Sequence, residues 1–267
     1  MFEFNKKYGI CHLCGKETNL TYEHVPPQKA NNMKKVRMYN GESLEELSRS
    51  KSNNLKYLEQ QRGAGGYTLC KECNNLTGHL YADEYIKFAN EIGYYMTNKT
   101  NLEIAKEVQF SSDELYFQRI IKQILCMFLS TIQPEFINEL QDIRNYILNK
   151  ESKEFNIKKY RVSMYLLKKP ELSHTGILGI MINNKIYKMV FMNLYYLGFV
   201  LEIDPPKESL PDTTDISCFT SLGYNDRVSA TITCSITERY SFHDLYKNME
   251  KGIKKQKKLQ NDVKINN

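Results

Sequence analysis

The 267-residue chain has no tryptophan and no long apolar run. Its most apolar stretch, from Met189 to Ile203, contains Asn193 and Gly198 and falls short of the roughly 20 apolar residues that a membrane span needs. Residues 1–7 also lack the apolar core and cleavage site of a secretory signal. These absences favour a cytoplasmic protein with no membrane partner, in which Met189–Ile203 forms buried strands.

Neither sign of charge dominates the composition. The chain has 37 Lys and Arg against 31 Asp and Glu, which gives a formal net charge of +6. An excess of this size permits a polyanionic partner such as nucleic acid but does not require one. From about Tyr160 onward there is also no Gly-rich phosphate loop, no Ser-His-Asp order and no paired-carboxylate motif. We therefore assign no small-molecule ligand to the β-rich segment that begins there.

Cysteine is the informative residue type. Two short pairs, Cys11–Cys14 and Cys70–Cys73, each have two intervening residues. Such pairs form knuckles whose sulfurs converge tetrahedrally on one soft cation, so a structural zinc is the favoured interpretation. The alternatives are a redox pair at a strand–helix junction and a disulfide framework, which needs an oxidising compartment. The other three cysteines are scattered, as suits a reducing cytoplasm: Cys126, Cys218 and Cys234.

Groups suited to catalysis lie between and just after the knuckles. Glu23 and His24 end a β-prone run that two prolines stop, so their side chains are expected on opposite faces of one strand end. A histidine with an ordinary pKa of about 6.5 is a suitable general base at neutral pH. Asn74 follows the second knuckle at the start of a run with helical periodicity. Together, Glu23 and Asn74 offer the hard oxygen ligands that Mg2+ or Mn2+ prefers.

This arrangement resembles the HNH endonucleases, a family with a ββα-metal fold, and specifically the branch whose motif lies between two Cys-x-x-Cys knuckles. The resemblance implies metal-dependent hydrolysis of phosphodiester bonds in nucleic acid, with DNA favoured over RNA. The chain is also similar to bacterial proteins of this branch to which roles in phage defence have been ascribed. The matching segments are Cys11 and Cys14, Glu23-His24-Val25-x-Pro27, and Leu69-Cys70-x-x-Cys73-Asn74.

The resemblance implies a role for each matched residue. His24 matches the general base, Glu23 matches the acidic ligand of a catalytic Mg2+ or Mn2+, and Asn74 matches the last ligand of that ion. Arg62 is a candidate phosphate contact, with a plain surface arginine as the alternative. The residues that match the structural Zn2+ site are Cys11, Cys14, Cys70 and Cys73.

The chain departs from the family pattern in three places. The acidic metal ligand is more often aspartate, and Glu23 reaches one methylene further, which bears on the preferred ion. An asparagine shortly before the second knuckle normally braces the loop, and Gly63–Leu69 contains none, so this brace is missing or replaced. If it is missing, the alternative function is a noncatalytic zinc module that binds nucleic acid or a protein partner. The stretch from Pro27 to Gly63 is also longer than the family needs. Its basic residues either contact phosphate or form a solvated loop: Lys29, Lys34, Lys35 and Arg37.

The predicted fold class is α+β, with an N-terminal zinc-stabilised ββα-metal unit, a helical segment and a mostly antiparallel β domain. The expected boundaries are residues 1–98, 99–157 and 158–240, followed by a basic helix or tail over 241–267. The tail is either a solvated segment or a source of nonspecific phosphate affinity. The β domain is a candidate surface for a protein partner or for self-association.

Local patterns place the elements within these segments. A capping box at Ser111 and Glu114 is expected to open one helix, and Pro134 a second. Period-two patterns then predict an antiparallel sheet with a turn at Asn183–Asn184. The predicted strands are Arg161–Leu167, Ile177–Ile182, Ile186–Phe191, Leu194–Ile203 and Val228–Ile236.

Overall fold

The N-terminal strands form two small sheets. The computed structural model describes residues 7–39, 57–98, 105–182, 185–207 and 210–238. Strands β1 (Tyr8–Ile10) and β2 (Glu17–His24) come first, followed by β3 (Val36–Tyr39), β4 (Tyr57–Gln60) and β5 (Gly65–Cys70). β2 lies between β1 and β5 in an antiparallel sheet, whereas β3 and β4 pair with each other.

The first helix begins within the second knuckle, and further helical segments follow it. Helix α1 (Lys71–Thr77) begins at Cys70, whose sulfur accepts a hydrogen bond from the Cys73 amide at 3.5 Å. A π-helical turn, Gly78–Ala82, leads into α2 (Asp83–Asn98). α2 buries an apolar stripe at helical spacing, which packs on the core: Tyr85, Phe88, Ala89, Ile92 and Met96. The expected strand pair followed by a helix is therefore present.

The predicted capping box at Ser111 and Glu114 is wrong, because both residues lie in strand β6 (Glu107–Leu115). The strand buries Val108, Phe110 and Ser112 with a period of two, which is the spacing of a sheet and not of a helix. Ser111 instead meets Thr231 of the neighbouring strand, with their hydroxyl oxygens 2.9 Å apart. Pairing with a strand that lies more than a hundred residues later in the chain thus overrides the local helix signal.

The central helix, α3 (Phe117–Thr131), is buried over nearly its whole length and fills the middle of the protein. Pro134 begins the next helical segment, as predicted. Its first part, Pro134–Leu140, is a 3-10 helix, and α4 (Gln141–Leu148) continues it. The predicted apolar stripe comprises Phe136, Leu140, Ile143 and Ile147. Phe136 is only partly buried, whereas the other three are buried, as is Ile137.

A large sheet closes the fold. Its strand order is β6-β11-β7-β9-β8, with β10 paired to β7 off this path. Neighbouring strands are antiparallel except β11 and β7, which are parallel at their contact. The mixed α+β class with a mostly antiparallel sheet is therefore confirmed. The strands are β7 (Tyr160–His174), β8 (Leu178–Ile182), β9 (Lys185–Ile203), β10 (Thr214–Asp215) and β11 (Val228–Thr237).

One strand prediction needs correction. Ile186–Phe191 and Leu194–Ile203 were expected as two strands, but they belong to the single strand β9. β9 stays continuous because it pairs with β8 at one end and with β7 along the rest, where the register shifts between Leu166 and Glu171 of β7. The predicted turn at Asn183–Asn184 and the predicted tail 241–267 lie outside the described residues.

One hydrophobic core runs from the first knuckle through the helices to one face of the large sheet. Two buried hydrogen bonds attach this knuckle to the helices: His12 Nδ1 lies 2.8 Å from the Leu129 carbonyl oxygen, and Arg144 Nε donates to that of Leu13 at 2.7 Å. The segment boundaries expected from the sequence stay predictions. No helix of the described ranges is long and apolar enough to cross a membrane.

Candidate functional site

The four knuckle cysteines come together as the sequence predicts. Their sulfur atoms all lie within 4.8 Å of one another, and those of Cys14 and Cys70 are 3.9 Å apart. Zinc–sulfur bonds of about 2.3 Å in a tetrahedron place neighbouring sulfurs about 3.8 Å apart. The cluster therefore has the size and donor set to hold a zinc-like ion. Its members are Cys11, Cys14, Cys70 and Cys73.

The sulfurs compete for protons because they are packed together. The pKa of Cys11 is lowered to about 4, chiefly because the Cys73 thiol donates a hydrogen bond to it. The same hydrogen bond, together with burial, raises the pKa of Cys73. The Cys70 amide also donates to the Cys11 sulfur at 3.2 Å. Full ionisation of all four thiols thus requires a cation at their centre, as in zinc–thiolate sites.

A second group of polar residues lies at the end of β2. Glu23 is 7 % exposed, whereas the next residue, His24, is only half-buried. The two side chains therefore lie in different environments, as expected for successive residues of a strand, whose side chains point to opposite faces. The pairing of β2 with β5 shifts register between Thr21 and Tyr22, just before this pair. Such bulges re-aim side chains at strand ends.

His24 has the protonation state that a general base needs. Its Nε2 lies 3.1 Å from the carbonyl oxygen of Arg62. A carbonyl oxygen only accepts hydrogen bonds, so Nε2 carries the proton and Nδ1 keeps its lone pair. Burial lowers the pKa of His24, although the bond to the Arg62 carbonyl opposes this shift. The ring is therefore neutral at neutral pH and can accept a proton at Nδ1.

Glu23 is a buried carboxyl group without a polar partner. No hydrogen bond or ion pair joins it to another residue in the described part of the chain. Burial alone raises its pKa to about 8. An ionised carboxylate at such a position is costly unless a cation or hydrogen-bond donor compensates it. The environment of Glu23 therefore fits a residue that a bound divalent cation would complete.

Asn74 is held in one orientation on α1. Its Nδ2 donates to Thr21 Oγ1 at 3.1 Å and to the Tyr22 carbonyl oxygen at 3.2 Å. The Thr21 hydroxyl itself donates to the Leu69 carbonyl at 2.9 Å, so it acts as an acceptor toward Asn74. Both contacts place the amide nitrogen against β2. The Asn74 Oδ1 is therefore left to serve as a metal ligand or hydrogen-bond acceptor near the end of that strand.

Asn32 is a structural residue of the site that the sequence analysis missed. It is 1 % exposed, and its Nδ2 donates to the carbonyl oxygens of Pro26 at 2.6 Å and Ala64 at 2.8 Å. Its Oδ1 accepts from the Ala64 amide at 2.7 Å. Asn32 thus ties the turn after His24 to the segment before β5. Gly63–Leu69 itself contains no asparagine, so the side chain that joins these two segments comes from before β3.

The backbone of Arg62, not its side chain, contacts the site. Its carbonyl oxygen meets His24 and also accepts from Gln28 Nε2 at 3.2 Å. The guanidinium group is exposed. The role of Arg62 as a phosphate contact stays a prediction.

Similarity to known proteins adds nothing to this geometry. No protein-family model, curated protein or solved structure matches the chain. Its function is therefore argued from the four-cysteine cluster and from the residues around the end of β2.

Proposed function

We propose that this protein is a metal-dependent endonuclease of the HNH type, with DNA as the favoured substrate. One juxtaposition carries the proposal: a histidine whose Nε2 lies on the Arg62 carbonyl, which leaves Nδ1 to accept a proton, follows a buried carboxyl group that makes no hydrogen bond or ion pair in the described part of the chain. Hydrolysis of a phosphodiester needs a base to take a proton from water and a cation to neutralise charge on the phosphate. His24 and Glu23 supply one group of each kind.

In this mechanism His24 Nδ1 accepts the proton of the attacking water, while the Arg62 carbonyl holds the ring through Nε2. Glu23 and the Asn74 Oδ1 would hold a Mg2+ or Mn2+ ion, which would stabilise charge on the phosphate and on the leaving oxygen. Asn32 keeps the segments that carry His24 and Arg62 together. The four cysteines hold a Zn2+ ion that stabilises the fold and takes no part in the chemistry.

The first test compares cleavage by the parent protein and by the His24→Ala variant. Supercoiled plasmid, linear duplex, single-stranded DNA and RNA are each incubated with Mg2+, with Mn2+ or with neither ion. We expect divalent-dependent cleavage by the parent and loss of at least about two orders of magnitude in His24→Ala, the contribution typical of a general base. The zinc content should be unchanged. A matched control is His79→Ala, because His79 is an exposed histidine on the π-helical turn.

Each outcome decides between functions. Equal cleavage by the parent and His24→Ala would show that His24 is not the base. No cleavage of any substrate by a folded, zinc-loaded parent would favour the noncatalytic zinc module that binds nucleic acid or a protein. The missing brace was the main support for that alternative, and Asn32 weakens it by bracing the site. A role in phage defence stays a prediction from the resemblance.

A further inference from the structure

The insertion between Pro27 and Gly63 concentrates positive charge beside the candidate base. Its described parts, residues 28–39 and 57–62, hold five basic residues and one acidic residue. Their net charge of +4 compares with +6 for the whole chain. We call these two segments the basic strap. All of its basic side chains are exposed: Lys29, Lys34, Lys35, Arg37 and Arg62.

The strap is attached to the site at both ends. Gln28 Nε2 and the His24 ring share the carbonyl oxygen of Arg62, so the two ends of the strap meet at the candidate base. The three hydrogen bonds of Asn32 join the same two ends. Asn90 of α2 donates to the Lys29 carbonyl oxygen at 3.3 Å. These contacts argue against a freely solvated loop, because they set the position of the strap relative to His24.

The strap presents two cations on one face of its hairpin. Lys35 Nζ lies 2.7 Å from Glu59 Oε1, and Arg37 Nε lies 3.9 Å from Glu59 Oε2. The side chains of Lys35 and Arg37 are still 52 % and 57 % exposed. Exposed ion pairs of this kind contribute little to stability, so a phosphate can replace Glu59 as the partner of either cation at small cost.

The two cations lie close in sequence to the candidate base. Only a turn at residues 61 and 62 separates β4, which carries Glu59, from the Arg62 carbonyl oxygen that contacts His24. A nucleic acid bound at His24 is therefore within reach of the Lys35–Arg37 pair.

We propose that the basic strap binds the DNA backbone beside the bond that is cleaved. The inference rests on the proposed function for its choice of nucleic acid and for the position of the cleaved bond. The strap supplies affinity through phosphate contacts, whereas His24, Glu23 and Asn74 supply the chemistry. It therefore acts on substrate binding and not on the catalytic step.

The test measures binding of a labelled DNA duplex of about 30 base pairs by the full-length, zinc-loaded protein without Mg2+ or Mn2+, over a range of salt concentrations. The strap variant carries Lys34→Gln, Lys35→Gln and Arg37→Gln. The matched control carries Lys106→Gln, Lys158→Gln and Lys169→Gln, which remove the same charge from exposed positions outside the strap.

For the strap variant we expect about tenfold or greater loss of affinity and a salt slope shallower by about two to three. The control should lose less than about threefold, with its slope unchanged. Glu59→Gln should bind more tightly than the parent, because it removes the one acidic side chain of the described strap. Equal losses in the strap and control variants, or weaker binding by Glu59→Gln, would overturn the proposal.

Kinetics separate this proposal from the proposed function. In cleavage assays the strap variant should show a raised KM with kcat within about twofold of the parent, since it leaves His24, Glu23 and Asn74 in place. Strap-dependent binding by a parent that cleaves nothing would refute the nuclease and keep the strap. If the parent cleaves DNA but the strap and control variants bind it equally well, only the DNA-binding role of the strap is refuted.

Discussion

At the scale of single residues, burial favours the uncharged form of both Glu23 and His24. It raises the pKa of the carboxyl group and lowers that of the imidazole, so both groups favour their uncharged forms at neutral pH. A neutral imidazole is ready to accept a proton. A protonated carboxyl group must release its proton before it can hold a cation, so divalent binding at Glu23 should release a proton and strengthen as pH rises.

Asn32→Ala should loosen the turn that carries His24 without affecting metal binding at the four-cysteine cluster. The change leaves the Ala64 amide and the carbonyl oxygens of Pro26 and Ala64 without their buried partner. Each such unsatisfied group costs about 1–3 kcal/mol, which is enough to open the turn locally. We expect faster hydrogen exchange at the Ala64 amide, slower cleavage and unchanged zinc content.

Asn32→Asp is the matched variant for this prediction. It keeps an acceptor for the Ala64 amide but replaces the donor to two carbonyl oxygens with a second acceptor. It should therefore be impaired as well, although it is nearly isosteric. Full activity in Asn32→Asp would show that Asn32 fills space and does not brace the turn.

Glu202, in the large sheet and away from β2, is expected to make the free energy of unfolding depend on pH. It is 1 % exposed on β9, and burial raises its pKa to about 7 even though Arg161 on the neighbouring strand opposes the shift. The folded protein thus keeps this proton longer than the unfolded chain does. Stability from this group is present at low pH and is lost as pH rises from about 4.5 to about 7.

The measurement compares unfolding free energies of the parent and Glu202→Gln. Between about pH 5.5 and about pH 8.5 the variant should gain about 2 kcal/mol relative to the parent, because glutamine has no proton to lose. The matched control is Glu154→Gln, at an exposed position outside the large sheet. A constant difference between the parent and Glu202→Gln across this range would contradict the assigned shift.

At the scale of elements, Arg144 of α4 holds the first knuckle in place. Its side chain is buried, with Nε on the Leu13 carbonyl and Nη1 on Gln141 Oε1 at 2.9 Å. Gly15 has a φ of +77°, and any side chain there would collide with the Arg144 guanidinium group. A glycine is therefore required at the end of this knuckle, both by the backbone conformation and by the arginine.

Arg144→Met should destabilise the protein by about 2 kcal/mol, because the Leu13 carbonyl loses a charged donor while the apolar packing is largely kept. Unfolding in urea with zinc present measures the loss. The zinc should stay bound, since all four thiolates are intact. Arg227→Met, at an exposed arginine paired with Glu114, is the control and should change stability by less than about 0.5 kcal/mol. Equal stability of the two variants would argue against the docking role.

At the scale of the whole molecule, the four-cysteine cluster belongs to the core that the helices and the large sheet share. Cys11 and Leu13 are fully buried in that core, in one cluster with Leu129 of α3 and Ile236 of β11. Stability gained from metal binding at the knuckles should therefore reach residues far beyond them.

Removal of zinc by a chelator should lower the unfolding temperature of the whole chain in one step. Hydrogen exchange at α3 and β7 should accelerate together with exchange at the knuckles. The replacement Cys70→Ser should reproduce the effect without a chelator. Unchanged protection of α3 and β7 after zinc removal would instead show that the helices and the large sheet fold independently of the N-terminal unit.

Several features of the candidate site could be read from the sequence because they depend on neighbouring residues. The two-residue spacing within each cysteine pair makes a knuckle, and the adjacency of Glu23 and His24 at a strand end separates their environments. The same holds for the helix after Cys73 and for the apolar stripe after Pro134. In each case the chain geometry over a few residues already limits what the side chains can do.

Other features were decided only by the tertiary structure, because they join residues that are distant in sequence. The Asn32 brace spans 32 residues, and the contacts of His12 with Leu129 and of Arg144 with Leu13 span 117 and 131. β6 is a strand because β11 pairs with it, whatever its local capping signal. The sequence by itself determined which chemical groups are present at the site; burial and long-range hydrogen bonding decided their protonation, their orientation and what holds them together.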